Sequence, residues 1–393
     1  MPHLPLVFLI AGEASGDLLG ADLMASLKRT ENVRFAGIGG EAMTAQGLES
    51  LFPMDELSIV GVWGILRQLR HFLNRLRFTV ETIKIQKPDV VITIDAPEFS
   101  FRVMKRLHKL TKRPRLIHYV APTVWAWRPG RAKKISRFLD RLLCLYPFEP
   151  PYFEKHGLKT TFVGHPVALG EMSCLEKTDP NLLCVLPGSR RSEVETLLPI
   201  FKRTVELLKM QLPDLKVIIP TVPSVEALVR EEVQNWPHHI QIAVGGEARK
   251  NAFQKSTAAL AASGTVALQL SAARLPFVIA YKLNKVNEWI ARAFIQTPWA
   301  CMVNILLAFQ KFGPGFVLTR KAKELVPNPC IPEFIQEDCT PERLASAILT
   351  LFRDKALRTH QTAGMKVAIS LLKAPSDAAA KAVFEEITLQ KII

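Results

Sequence analysis

The chain has 393 residues, 48% of them hydrophobic and 22% charged, a balance that excludes global disorder and supplies enough apolar material for two ordinary domains. Lysine and arginine number 51 against 36 aspartate and glutamate, a formal charge of +15. An excess of that size calls for an anionic partner or surface: nucleic acid, anionic lipid or phosphorylated substrate. The apolar start, Leu4 to Ala11, is too short for a leader, and no apolar run reaches the ~18 residues of a spanning helix, so neither is expected.

In chain order, Leu6–Ala11 reads as a buried strand. It runs into the loop Gly12-Glu-Ala-Ser-Gly-Asp17 and a helix over Ser15–Arg29. Strands follow at Val33–Gly37, Val90–Ile94, Leu116–Val120 and Leu142–Tyr146, with helices over Trp63–Gln86 and Glu98–Thr111. Gly and Pro break the rhythm in 162–170, where a domain junction is expected. The alternation then repeats, with strands at Leu182–Leu186, Val217–Thr221, Ile240–Val244, Ala258–Ala261 and Pro276–Ala280 and a last helix over Ser376–Gln390. Short apolar β-branched runs separated by helical patterns are the mark of buried parallel strands. The expected domains are therefore 1–167, joined by the C-terminal helix, and 168–373. Two strand–glycine–helix openings half a chain apart predict two doubly wound domains facing a shared cleft.

Two segments depart from the pattern. Over 59–77, Val62, Trp63, Leu66 and other apolar residues are interspersed with Arg67, Arg70 and Arg75. That suits a helix lying in an anionic membrane interface, or a core helix with a solvated basic face. Trp299–Pro329, apolar and then basic around Phe312-Gly-Pro-Gly-Phe316, reads as a lipid-contacting loop or a long surface insertion.

Candidate chemistry gathers where strands end. Asp95 closes the run Val90-Val-Ile-Thr-Ile-Asp95, placed either for general-base work or to cap the next helix. After Leu182–Leu186 come Pro187, Gly188, Ser189, Arg190 and Arg191 and then a helix. Free backbone N–H groups at a helix N-terminus beside cations suit phosphate, although the arginines also have Glu193 and Glu195 within pairing distance in sequence. Ser263, Gly264 and Thr265 form a second small-residue turn, with Gln269 a turn into the helix that follows. A P-loop, a complete dinucleotide fingerprint, a nucleophile elbow, an Asp-x-Asp pair and any clustered Cys/His set are all absent, so no metal or cofactor is expected. The six cysteines form no C-x-x-C pair and read as reduced, mostly buried thiols.

The segment His118-Tyr-Val-Ala-Pro-Thr-Val-Trp-Ala-Trp-Arg-Pro-Gly-Arg131 is the most specific in the chain. With Gly12–Asp17, Gly37-Ile-Gly-Gly40, Ile94-Asp-Ala-Pro97, Leu186-Pro-Gly-Ser-Arg190, Ser263-Gly-Thr265, Val303-Asn-Ile-Leu306 and Pro332-Glu-Phe-Ile-Gln336, it resembles the lipid-A-disaccharide synthase family of inverting GT-B glycosyltransferases. The motifs run in family order over essentially the whole chain.

The resemblance implies a GT-B-like α/β fold whose C-terminal helix packs back on the N-terminal domain. It implies transfer of a sugar from UDP-2,3-diacylglucosamine to 2,3-diacylglucosamine 1-phosphate (lipid X). The products would be the β-1,6 lipid A disaccharide 1-phosphate and UDP, on the route to lipopolysaccharide and the Gram-negative outer membrane. By the same resemblance Asp95 is the base and Arg190 the leaving-group stabiliser. Gly12, Glu13, Ser15 and Gly16 shape the acceptor side. Gly188, Ser189, Arg191, Ser263, Gly264, Thr265, Gln269 and Asn304 line the UDP side. The family works without a catalytic metal, at the cytoplasmic face of the inner membrane, and this favours the interfacial reading of 59–77. Three departures stand out: Gln269 where Glu is usual, Arg191 where Gly is common, and a stretch between Asn304 and Pro332 longer than expected by roughly 20 residues. The rivals are another UDP-sugar transferase acting on a lipid-linked acceptor, a basic nucleic-acid-binding protein, and a nucleotide-dependent oxidoreductase. The last two are disfavoured by missing motifs.

Overall fold

Twelve strands form two all-parallel sheets among the described residues. The computed structural model describes residues 4–57, 62–168, 170, 179–283, 297–313, 316, 318–319 and 322–392, and for 62–69, 323, 391 and 392 the backbone alone. The chain divides into two compact units, 1–166 with 373–393, and 167–372.

In unit 1, β1 (Leu6–Ala11), β2 (Arg34–Ile38), β3 (Val90–Ile94), β4 (Arg115–Tyr119), β5 (Arg141–Cys144) and β6 (Lys159–Phe162) pair in the order β2-β1-β3-β4-β5-β6. Alternate residues feed two cores. Phe8, Ile10, Val91 and Leu116 meet Phe72, Leu76 and Val80 of the helix Val62–Gln86 on one face. Val7, Leu9, Ile92 and Ile117 meet Leu23 and Leu27 of the helix Ala14–Thr30, and Val383 and Ile387 of the C-terminal helix Ala378–Ile392, on the other. Burial on both faces is why these strands read as unbroken apolar runs. β6 escaped the sequence reading: its Lys-Thr-Thr-Phe composition lacks the apolar run, because it is a partly covered edge strand.

In unit 2, β7 (Leu182–Leu186), β8 (Lys216–Thr221), β9 (Ile240–Val244), β10 (Ala258–Ala262), β11 (Phe277–Tyr281) and the three-residue β12 (Glu333–Ile335) pair in the order β12-β11-β10-β7-β8-β9. One face packs on Val194, Leu198 and Phe201 of the helix Arg191–Gln211 and on Leu344 and Ile348 of the helix Pro341–Arg353. The helices Val266–Ala272, Met302–Phe312 and Lys355–Ser370 pack on one another.

Two expectations for the irregular segments need correction. Trp299 and Cys301 are buried, and the helix Met302–Phe312 buries Val303, Ile305, Leu306 and Ala308. The apolar start of 299–329 is therefore core, neither lipid loop nor surface insertion; Pro314 and Gly315 lie outside the described residues. In the helix Val62–Gln86 the side chains of Val62, Trp63, Leu66 and Arg67 lie outside the described residues, as do Ile59 and Val60. Arg70 is exposed. Arg75 is not a free surface cation: it grips Glu56 at 2.5 and 2.9 Å and lies 4.6 Å over the Phe52 ring. No described helix is long and apolar enough to cross a membrane. Cys144, Cys184, Cys301 and Cys339 are buried free thiols, Cys330 is half-buried, and Cys174 lies outside the described residues.

The C-terminal helix is tied to unit 1 by charge as well as by apolar packing. Arg141, 2% exposed, reaches Glu386 at 2.9 Å, Glu385 at 2.5 Å and Thr161 at 3.2 Å, and Glu386 is equally buried. Stranding one member of a buried pair leaves an uncompensated charge. Glu386→Ala leaves Arg141 only the exposed Glu385 and Thr161, and is therefore expected to lower unfolding free energy by up to roughly 3 kcal/mol, the low end for a broken buried pair. Glu385→Ala, at an exposed carboxylate, should cost under about 1 kcal/mol. Urea denaturation of the two variants checks the contrast.

Candidate active site

The winding of unit 1 reverses between β1 and β3, since β2 lies on one side of β1 and β4 on the far side of β3. Ligands of open α/β sheets bind at such a switch point, outside the carboxyl ends of the strands. The loop after β1 and the corner after β3 meet there. A Cβ on Gly12 would lie 2.5 Å from the Ala96 Cβ, so only glycine allows the approach. Gly16 packs against the Ile94 carbonyl, while Glu13 and Ser15 are exposed at the start of the helix Ala14–Thr30. Asp17, which sequence reasoning left without a role, is structural. Its carboxylate accepts the amides of Gly40 at 2.7 Å, Ala42 at 2.9 Å and Met43 at 3.1 Å, clasping the loop after β2.

Asp95 and Ala96 both sit in the left-handed region, at φ 52° and 43°, a conformation that side chains adopt at a cost and that recurs where function demands it. The corner is pinned by Asp95 N–H on the Tyr119 carbonyl at 3.0 Å and by the Ser100 hydroxyl on the Asp95 carbonyl at 2.8 Å. The helix Pro97–Leu107 has Ala96 at its N-cap and no side-chain cap, so Asp95 does not serve as a cap. Burial pushes its carboxyl above the usual carboxylate range, partly offset by the Ala96 amide. A half-buried carboxylate with a raised pKa is a better proton acceptor than a solvated one.

Unit 2 reverses between β7 and β10, and a cavity of about 310 Å³ opens there. Gly188, Ser189 and Arg190 line it from β7, and Ser263, Gly264, Thr265 and Gln269 from β10. Glu193 folds back into the turn, accepting from Ser189 N at 3.1 Å, Arg190 N at 3.3 Å and the Arg190 guanidinium at 2.7 Å. Gly188, at φ 111°, is required for this, since a Cβ would lie 2.5 Å from the Glu193 carboxylate. Arg190 remains 78% exposed despite that pairing, and so is available to a ligand.

Two expected donor-side residues are placed otherwise. Arg191 is not among the cavity-lining residues and pairs with Glu195 at 3.1 Å. Asn304 is buried away from the wall. Its amide donates to the Ile331 carbonyl at 2.9 Å and to Glu333 at 2.7 Å, and its carbonyl accepts from Ile331 N at 3.0 Å. Glu333 in turn accepts from Ala300 N at 2.7 Å and Cys301 N at 3.1 Å, and the Ser263 hydroxyl donates to the Ala300 carbonyl at 3.1 Å. Asn304 thus supports the wall behind Ser263. Thr221 and Arg249 line the cavity unforeseen, and the buried Thr221 hydroxyl has no hydrogen-bond partner. The signal available for Thr221 was its place at the end of β8; Arg249 had none.

The family model for lipid-A-disaccharide synthetase matches residues 7–387. The chain belongs to the lipid-A-disaccharide synthase family. The lipid-A-disaccharide synthase of Rhodospirillum centenum is 46% identical over 403 aligned residues, covering 98% of this chain and 96% of the relative. That of Paramagnetospirillum magneticum is 44% identical, covering 97% of each. Membership makes the chain a glycosyltransferase of lipid A synthesis. Among solved structures, a Staphylococcus aureus MnaA–UDP complex overlays with a TM-score of 0.62 at 10% identity, covering 100% of this chain and 98% of the other. The kitacinnamycin glycosyltransferase overlays at 0.58 and 15% identity, covering 98% and 100%. These likenesses show the two-unit GT-B architecture.

The Trp125-Ala-Trp127-Arg128 segment lies six residues past the end of β4, whose Tyr119 carbonyl accepts from Asp95 N. Behind it, Glu149 is 1% exposed and accepts from Trp125 Nε1 at 3.3 Å and Tyr146 N at 3.1 Å. Burial raises this carboxyl from 4.5 to about 8, against the hydrogen bonds from Tyr146, Trp125 and Leu145. His118, buried and bonded through Nδ1 to the Thr93 hydroxyl at 2.7 Å, is held neutral, its pKa lowered to about 3 by burial and by Arg131.

For Glu149 the folded protein keeps a proton that the unfolded chain releases above about 4.5. Its contribution to stability is therefore full below that pH and falls as pH rises to about 8. Urea midpoints across this window should accordingly decline more steeply with pH for the wild type than for Glu149→Gln, which carries no titrating group.

Proposed function

We propose that the chain transfers the 2,3-diacylglucosaminyl group of UDP-2,3-diacylglucosamine to the 6-hydroxyl of 2,3-diacylglucosamine 1-phosphate. The products are the β-1,6-linked disaccharide 1-phosphate and UDP. The observation that carries this reading is the coincidence of motif and topology in each unit. The switch point of unit 1 holds Asp95 between the Gly12 loop and the end of β4, and that of unit 2 holds the Gly188–Arg190 and Ser263–Thr265 turns around one cavity. Family membership supplies the reaction class.

In this reading unit 1 takes the acceptor and unit 2 the UDP donor. Asp95 accepts the proton of the acceptor 6-hydroxyl as that oxygen bonds to the anomeric carbon. The bond from the anomeric carbon to the diphosphate oxygen breaks on the opposite face, and the configuration inverts. The electron pair leaves with UDP, whose developing charge is met by the Arg190 guanidinium and the Gly188–Ser189 turn. Gln269, Thr265 and Ser263 offer neutral hydrogen bonds to the nucleotide. No step needs a metal, and among the described residues no group of three His, Cys, Asp or Glu is arranged to hold one.

Both substrates are amphiphiles with phosphate groups, and the surplus of 15 positive charges favours an anionic bilayer. The helix Val62–Gln86 exposes Arg70, Arg77, Leu73 and Phe78, a mixed apolar and basic surface suited to the inner-membrane face.

Incubation with the diacyl donor and lipid X, followed by mass spectrometry, should yield the tetra-acyl disaccharide phosphate. Turnover of UDP-N-acetylglucosamine in place of the diacyl donor would overturn the substrate assignment. Asp95→Asn should cut turnover roughly 10²- to 10⁴-fold with the fold intact by circular dichroism. Because the Asp95 pKa is raised, wild-type rate should fall with acidity from above the usual carboxylate range. Arg190→Ala should lower kcat by roughly 10²-fold. Exchanging Arg70 and Arg77 for Glu should weaken co-sedimentation with anionic vesicles, an effect that grows as salt is lowered.

A further inference from the structure

Glu149 is a buried carboxyl with no assigned part in sugar transfer. It lies against the Trp125 indole, and no basic side chain pairs with it among the described residues. Two donors converge on its two oxygens, the Trp125 indole N–H on Oε1 and the Tyr146 amide on Oε2. Around it the Trp125 and Phe148 rings meet edge to face at 5.3 Å, Phe148 stacks on Tyr146 at 5.6 Å, and Tyr146 contacts His165 at 5.6 Å.

The indole it holds belongs to a tight turn, closed by Ala126 N and Trp127 N on the Thr123 carbonyl at 3.0 Å each. One side of that turn is anchored inward through Trp125, which is 6% exposed. The other presents Arg128, exposed, at φ 53°, with its guanidinium 5.1 Å over the Trp127 ring. The turn starts at Thr123, four residues past Tyr119, the last residue of β4, whose carbonyl pins Asp95. Just beyond it Arg131 reaches Glu98 at 3.6 Å and lies 5.3 Å over the Phe101 ring, both residues of the helix that follows Asp95.

We infer that Glu149 is a positioning residue for transfer: by seating the Trp125 indole and the Tyr146 amide it fixes the Trp127–Arg128 face of the turn that joins β4, which pins Asp95, to Arg131, which reaches the helix after Asp95. A leucine or an alanine would bury the indole N–H unpaired, and a glutamine offers one acceptor to two donors. The carboxyl is the side chain of this length that sets an oxygen opposite each donor, and once ionised it accepts fully from both.

The seat also changes charge near neutrality. With the carboxyl titrating at about 8, both of its hydrogen bonds strengthen as pH passes that point. The titratable groups facing it do not interfere. Burial raises the Cys144 thiol and the Tyr146 phenol further still, with Glu149 adding to both and Glu154 to the thiol. His165 stays neutral, lowered to about 4 by burial.

The inference rests on Asp95 being the base, and the test separates the two. Trp125→Phe and Glu149→Ala are each expected to lower kcat roughly tenfold, the size of one or two lost hydrogen bonds, with KM for both substrates within about twofold of wild type. Their double variant should lose no more than the worse single. Glu149→Gln, the variant to use should alanine not fold, should show an intermediate loss of about threefold. In full-length protein labelled with 5-fluorotryptophan, the ¹⁹F resonance that vanishes in Trp125→Phe should shift with a midpoint near pH 8 and stay still in Glu149→Gln.

Independent, additive losses would overturn the inference, as would a folded Glu149→Ala with kcat within about twofold of wild type or an identical titration in Glu149→Gln. Failure of the wild type to make disaccharide would instead remove the proposed reaction, leaving the ¹⁹F titration to decide whether Glu149 seats Trp125.

Discussion

All-parallel strand pairing, with both faces of each sheet covered, is the constraint from which the rest follows. A sheet of this kind has helices on its faces, so polar groups that must meet a ligand are left the ends of the strands. Each crossover leaves from the carboxyl end and returns on the far side, so that every such end opens on one edge. Where successive crossovers diverge, between β1 and β3 in unit 1 and between β7 and β10 in unit 2, no connection fills the gap. Glycine at 12 and 188 then does steric work: at each gap a chain segment comes so close that a methyl group would collide with Ala96 or with Glu193.

The two units treat charge differently. Unit 1 sets protonation by burial: Asp95 and Glu149 are raised and His118 lowered, with desolvation the leading cause in each. Unit 2 keeps its charges at the surface, where Arg190 and Arg191 are mostly exposed and pair with carboxylates one helical turn away. Such exposed pairs are weak and exchangeable, which fits a wall meant to receive an anion. The buried groups fit chemistry in which a proton moves.

Much of this was legible in the sequence, and the exceptions have physical causes. Ten of the strands announced themselves as short apolar runs, eight of them buried along nearly their whole length and two, β2 and β9, at sheet edges. β6 and β12 did not, one being a polar edge strand and the other three residues long. The Gly12 loop, Asp95 and the Pro187–Arg190 turn were readable because each sits between an apolar run and a helix start. Asn304 misled because a motif position does not reveal whether an amide faces a ligand or an internal carboxylate, and its partner Glu333 lies 29 residues further on. Arg191 differs from Arg190 because the helix begins between them: Arg190 is the extended N-cap and lines the cavity, whereas Arg191 is the first helical residue and pairs with Glu195 one turn on. Arg75 looked like part of a basic face until Glu56, in a separate element, proved to hold it.

The tie between Arg141 and Glu386 has a consequence for how the protein is made. The partners are 245 residues apart, so at ribosomal rates of ~5–20 residues per second roughly 12 to 50 seconds separate their synthesis. For that interval the strand carrying Arg141 has a guanidinium without its buried counter-ion, and the apolar face that Val383 and Ile387 will cover stands open. Residues 167–372 are all synthesised within it. The second unit to begin is thus the first able to finish, and the nascent first unit is the part of the chain on which chaperone protection during translation bears most directly.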